Sequence, residues 1–270
     1  MLKDPLGDKL ATPDRVAIGA WCSDPDMIEL MAYVGFDWVM IDQMFTANDW
    51  TKTELLIRTA EAAGITPAVR LQAFPWLGDD PAIPRNLGRI AGIGAKYVRM
   101  SVASLEEAKR CAVVARDWHK KPMHIYKFKT DFKTDADQGK PAQDATCLWP
   151  LAETLEVMES YREIMALPEV KIFGFGMGDA SRTLAKTDRP DFYNAALWQR
   201  IDQAVEFGRT CGTVVGANTS YAPTLPEIGK RAARLAQHGV RVIMVQGTPF
   251  LFQVAVTPFL KDLRAEIDQA

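Results

Sequence analysis

Short apolar runs recur along the whole chain: Arg15–Trp21, Phe36–Asp42, Thr66–Leu71, Lys96–Val102, Cys147–Glu153, Lys171–Met177, Thr213–Asn218 and Arg241–Gln246. Each is rich in Val, Ile, Phe or Met. None alternates cleanly between apolar and polar, which is how a strand covered on both faces reads. Between them lie stretches of helical spacing, among them Pro25–Val34, Thr51–Ala63, Leu105–Arg116, Leu155–Ala166, Ala195–Thr210 and Leu225–Gln237. Gly35, Gly64, Gly94, Gly212 and Gly239 fall between a helix end and the next strand, where a left-handed residue commonly closes the last turn. A repeated helix–Gly–strand unit builds a parallel sheet. Eight such strands in about 250 residues favour a closed (β/α)8 barrel over an open doubly wound sheet.

Two stretches break the rhythm. Pro122–Phe128 reads as a ninth strand, followed by a polar segment, Lys129–Gln143, with the features of a surface or active-site loop. Phe74–Pro84, rich in proline, follows the third strand and is either a rim element or a plain connection. No repeat, low-complexity tract or shift of composition marks a boundary, so residues 1–270 read as one barrel domain. With 48% hydrophobic residues a large core is available, and a net charge of −2 leaves no basic footprint for nucleic acid or anionic membrane. No apolar run approaches membrane-spanning length, and the amino-terminal residues lack the apolar core of a signal peptide. Cys22, Cys111, Cys147 and Cys211 are far apart without a CxxC pair, the usage of a reduced, cytoplasmic protein.

A barrel gathers its active site at the carboxyl ends of its strands. Those ends carry Trp21, Asp42, Arg70, Glu153, Asp179 and the Gly247–Thr248 turn. Glu153 and Asp179 close consecutive strands. Two carboxylates aimed into one mouth repel unless a cation lies between them, and oxygen ligands of this kind suit Mg2+ or Mn2+. The guanidinium of Arg70 has the fork geometry for a carboxylate. Each residue also has a plainer reading: Asp179 or Glu153 as a helix N-cap, Arg70 as the structural partner of Asp42 or Asp49.

Taken in order, GAWCSDP (Gly19–Pro25), GFDWVMID (Gly35–Asp42), AVR (Ala68–Arg70), CLWPLAETLEVMES (Cys147–Ser160) and FGFGMGDAS (Phe173–Ser181) resemble the HpcH/HpaI aldolase family. These are metal-dependent class II pyruvate aldolases related to the citrate lyase β subunit. The resemblance implies a TIM barrel of the phosphoenolpyruvate/pyruvate-binding type. It implies a divalent metal, Mg2+ or Mn2+, held by Glu153 and Asp179, and Arg70 on the carboxylate of a small 2-oxo acid. It places Trp21, Phe45, Leu151 and Gly178 around that substrate and makes Asp42 a catalytic residue beside Arg70. It also implies a homo-oligomer, a dimer-based hexamer, in which the helical region at about residues 250–270 is exchanged between subunits. The apolar stretch Phe250–Leu263 agrees with such burial, or with a helix packed on its own barrel.

Departures from the family pattern bear on the chemistry. Phe45 stands at the position of the family's catalytic His, and Gly92 replaces the acid that orients it. Leu151 stands where the family has Gln, and the region around His124–Lys133 replaces a family Arg-Gly segment. The metal and oxo-acid anchors remain, while both halves of the acid–base pair are gone. A missing base removes roughly 10^2–10^4 in rate, yet an enolate can still form by loss of CO2, which needs no proton abstraction. His124, Tyr126 and Lys127 are either replacements for the base or an edge segment. The expected activity is a metal-dependent carbon–carbon lyase, aldolase-like, acting on a 2-oxo acid through its enolate. The alternatives are decarboxylation or a related enolate-trapping reaction in the same site, and a barrel that binds ligand without catalysis. Phe45, Trp21, Leu151 and Phe175 predict an apolar mouth suited to a bulky or aromatic substrate tail.

Overall fold

The computed structural model describes residues 3–72, 75, 78–118 and 146–268. Eight parallel strands close into a barrel in chain order: β1 (Ala17–Trp21), β2 (Trp38–Asp42), β3 (Thr66–Arg70), β4 (Tyr97–Ser101), β5 (Cys147–Ala152), β6 (Ile172–Phe175), β7 (Val214–Asn218) and β8 (Val242–Met244), with β8 pairing back onto β1. Each lies within the bounds read from the sequence. The barrel interior is filled by Ala17, Trp38, Met40, Ala68, Tyr97, Trp149, Ile172 and Val242. Trp38 and Trp149 meet edge to face there, with ring centroids 5.1 Å apart. A Cβ on Gly174 would lie 2.5 Å from the Trp149 indole nitrogen, so β6 has no room for a side chain beside that ring.

Helix α1 (Pro5–Ala11) closes the amino end of the barrel. Its Leu6 is fully buried against Trp38, Tyr97 and Trp149, and the Leu6 N–H donates to Thr66 Oγ1 at 3.1 Å. Asp4 caps α1, accepting from Gly7 N at 3.0 Å and Thr66 Oγ1 at 2.9 Å and pairing with Lys96. The outer layer contains α2 (Pro25–Val34), α3 (Trp50–Ala63), α4 (Ala82–Gly92), α5 (Leu105–Trp118), α6 (Leu155–Glu159), α7 (Tyr161–Met165), α8 (Met177–Ala185), α9 (Ala195–Cys211), α10 (Leu225–Gln237) and α11 (Thr248–Asp268).

Three elements differ from the sequence expectation. The proline-rich stretch after β3 ends in a helix, α4, with Pro81 at its N-cap and Pro84 in a first turn that leaves its N–H groups unbonded anyway. The helix expected at Leu155–Ala166 is split at Ser160 into α6 and α7. The sixth strand stops at Phe175, and Met177 opens α8 instead of closing the strand. Phe74, the ninth strand at Pro122–Phe128 and the loop at Lys129–Gln143 lie outside the described residues. All four cysteines are free thiols, and no helix among the described residues is long and apolar enough to cross a membrane.

Candidate active site

Parallel register sets Asp42 beside Arg70 and Arg70 beside Arg99 on β2, β3 and β4. Asp42 and Arg70 form a two-pronged ion pair: Arg70 Nε donates to Oδ1 at 3.0 Å and Nη2 to Oδ2 at 2.5 Å. Asp42 Oδ1 also accepts from the Met44 N–H at 2.7 Å, in the turn that carries the chain toward Phe45. The carboxylate, 3% exposed, is thus occupied on both oxygens. The Phe45 ring covers the other face of the guanidinium, 4.7 Å from its carbon, and is itself 70% exposed at the rim. Arg70 is therefore held between a carboxylate and a ring.

Glu153 follows β5 and is buried. Ser101 Oγ on β4 donates to its Oε2 at 2.6 Å. Thr154, not Glu153, caps α6: its hydroxyl accepts from the Val157 N–H at 3.3 Å. Burial pushes the Glu153 carboxyl above the ordinary carboxylate range; Ser101 opposes this, and the charge of Asp179 adds to it. Asp179 sits in the first turn of α8, whose N-cap is Gly176, so it is not a capping residue either. Its carboxylate is half exposed and pairs with Arg182 at 2.7 Å. A Cβ on Gly176 would come within 2.4 Å of Glu153 Oε1, so the acid packs directly on bare backbone.

These groups share one cavity of about 490 Å3, a size that suits a small metabolite. Trp21, Asp42, Phe45, Arg70, Glu153, Gly178 and Asp179, all singled out from sequence, line it. Leu151 does not: it is 1% exposed, one layer below Glu153, packed over Gly174. Phe175 is likewise buried, against Phe173 on the outer side of the sheet. The apolar lining comes instead from an aromatic wall of Trp21, Phe250 and Tyr221, with centroid separations of 6.3 and 5.1 Å along the chain of rings. Gly247 lies so close under Trp21 that a Cβ there would fall 1.9 Å from the indole.

Sequence reading missed Arg99, Arg182, Asn218, Tyr221 and Gln246, all of which line the cavity. Arg99 is the most unusual: 3% exposed, its Nε has no hydrogen-bond partner, and its Nη1 reaches only the Met244 sulfur at 3.5 Å. Burial, reinforced by the neighbouring Arg70, pulls its guanidinium down to about 10. No His, Lys or Cys lines the cavity among the described residues. The candidate replacement bases His124, Tyr126 and Lys127 lie outside the described residues.

Among the described residues no group of three or more His, Cys, Asp or Glu side chains is gathered to hold a metal. Glu153 and Asp179 are the donor pair that the cavity offers. Two carboxylates, one desolvated and opposed by the other, fit a hard divalent cation, which commonly takes one or two acids and completes its coordination with water and substrate oxygens.

A parallel β/α barrel with carboxylates and guanidiniums gathered at the strand ends defines a class of small-molecule sites. Within it, the chain resembles the HpcH/HpaI aldolases, in sequence and in architecture. It is 24% identical over 208 residues to a hydroxypyruvate/pyruvate aldolase of Cupriavidus necator, covering 74% of each chain. A protein of the same name from Roseovarius nubinhibens is 24% identical over 246 residues, covering 88% of this chain and 91% of its own. The crystal structure of an HpcH/HpaI aldolase from Desulfitobacterium hafniense superposes with a TM-score of 0.75 at 19% identity, covering 98% of this chain and 97% of the other. No protein-family model matches the chain.

Proposed function

We propose that this protein is a divalent-metal-dependent carbon–carbon lyase that acts on a 2-oxo acid through its enolate. The observation that carries the reading is the convergence of Glu153, Asp179 and the braced Arg70 on one cavity, in a barrel that resembles aldolases in sequence. Glu153 and Asp179 would hold Mg2+ or Mn2+, which when bound supplies Lewis-acid stabilisation of charge developing on the 2-oxo oxygen. Arg70 holds the substrate carboxylate, and Asp42 fixes the guanidinium in position. The Trp21, Phe250 and Tyr221 wall excludes water from one side of the reacting carbon and receives the substrate tail.

The absence of His, Lys and Cys from the described lining favours a second reading in the same site. Decarboxylation of a 3-carboxy-2-oxo acid breaks a carbon–carbon bond, releases CO2 and leaves its electron pair in the enolate without a base.

The test is release of pyruvate, or of CO2, from a panel of 4-hydroxy-2-oxo acids and 3-carboxy-2-oxo acids, with and without added Mn2+. Glu153→Gln is expected to lower kcat/KM by roughly 100-fold or more, the scale of losing metal-based charge stabilisation. Activity that survives this change, or that chelation leaves untouched, overturns the metal role. Loss of turnover with intact ligand binding in the native protein would favour a binding barrel.

A further inference from the structure

Arg99 is the cationic side chain of the cavity left without an ionic partner among the described residues. Arg70 is neutralised by Asp42 and Arg182 by Asp179. Arg99 instead lies over the Trp149 ring, 5.6 Å from its centroid, with an unbonded Nε and its Nη1 on the Met244 thioether. The two side chains it touches, Trp149 and Met244, belong to the apolar barrel interior, so packing alone does not call for a charge. A buried, unpaired guanidinium is costly to fold, and a leucine or methionine of similar volume would avoid that cost. It lines the cavity, where its charge is opposed by Arg70 and favoured by Glu153, Asp42 and Asp179, none of which hydrogen-bonds to it.

The charge balance of the cavity points the same way. Three arginines (Arg70, Arg99, Arg182) and three acids (Asp42, Glu153, Asp179) line it among the described residues. A divalent cation would leave two positive charges over, which a dianion cancels and a monoanion does not. We propose that Arg99 is a second anion anchor at the cavity floor, so that the substrate class is a dianionic oxo acid: one carboxylate on Arg70, a second anionic group on Arg99. This rests on the oxo-acid reading above and deepens it.

Binding distinguishes the two. Isothermal titration in excess Mg2+ compares 2-oxovalerate with 2-oxoglutarate, and 2-oxohexanoate with 2-oxoadipate, so that each pair differs in charge at constant chain length. The native protein is expected to bind the dianion of each pair about tenfold or more tighter, the scale of one added charge-assisted contact. Arg99→Leu removes that preference and leaves the monoanions within about threefold, as expected when one contact is deleted without disturbing the other anchor. Arg99→Lys, which keeps the charge without the fork, retains part of the preference. Arg70→Met weakens both members of each pair. Thermal melts check the fold; Arg99→Leu is expected to melt at or above the native temperature, since a desolvated cation has been replaced by an apolar side chain. Equal binding of the two acids by the native protein, or a preference that survives in Arg99→Leu, overturns this inference and leaves the oxo-acid reading standing. Failure of the native protein to bind any of the four acids overturns both.

Discussion

Asp42 shows how a residue's bonding can redirect its role. Sequence position and resemblance made it a catalytic candidate, yet both of its carboxylate oxygens are spent on Arg70 and the following turn. A carboxylate so placed orients its neighbour better than it moves a proton. Asp42→Asn keeps the shape but drops the charge. It is expected to raise KM for a 2-oxo acid about tenfold, with a much smaller change in kcat, in line with one charge-assisted contact. A fall in kcat at unchanged KM, with a shifted pH profile, would restore Asp42 to proton transfer. The strand-end acids and Arg70 were legible because the end of each apolar run marks the mouth. Leu151 was misplaced because the residue two before Glu153 shares its face but sits a layer deeper, over Gly174. Arg99 escaped notice inside YVRMS, where apolar neighbours make the strand and hide a charge at an inward position.

At the level of elements, the barrel's amino end depends on α1, which hydrophobic pattern did not reveal because it is short and buries one side chain, Leu6. Asp4 ties this helix to β3 and β4. Burial acts to raise its carboxyl, but the Lys96 hydrogen bond, the Gly7 N–H and the Thr66 hydroxyl outweigh this and hold it below 3.8. A depressed carboxyl stabilises the fold above its unfolded-state value, and that contribution disappears as pH falls through the folded-state value. Asp4→Ala is therefore expected to cost about 1–3 kcal/mol near neutral pH, from a lost cap and unpaired partners. Urea unfolding of the native and variant chains should converge as pH drops below 3.8; a gap that stays constant with pH would contradict the charge-based account. Met177, the first residue of α8, was read as strand because the apolar run IFGFGM continues past the true end at Phe175. Only the backbone shows that the turn at Gly176 puts Asp179 on a helix facing Glu153's cavity.

For the whole molecule, the eight-strand closure was the most legible feature: two-faced apolar runs called for a parallel sheet, and eight of them in about 250 residues favoured the closed barrel over an open doubly wound sheet. The outermost helix tells a different story. None of the 21 residues of α11 is buried, although Phe252, Val256, Phe259, Leu263 and Ile267 form one apolar stripe at helical spacing. We propose that a second copy of the chain covers this stripe. Light scattering is expected to give a multiple of the single-chain mass, and Phe252→Ser with Phe259→Ser to shift it toward one copy; a native protein already of single-chain mass contradicts the proposal. At the other end of the same helix, Phe250 leans on Trp21, and Trp21 rests on Gly247. That contact limits how the pocket can be retuned. A methyl group at position 247 has nowhere to go unless the indole swings away, so selectivity cannot be adjusted there by gradual growth of a side chain. It can be adjusted only by trading the tryptophan itself, and the two positions must then vary as a pair.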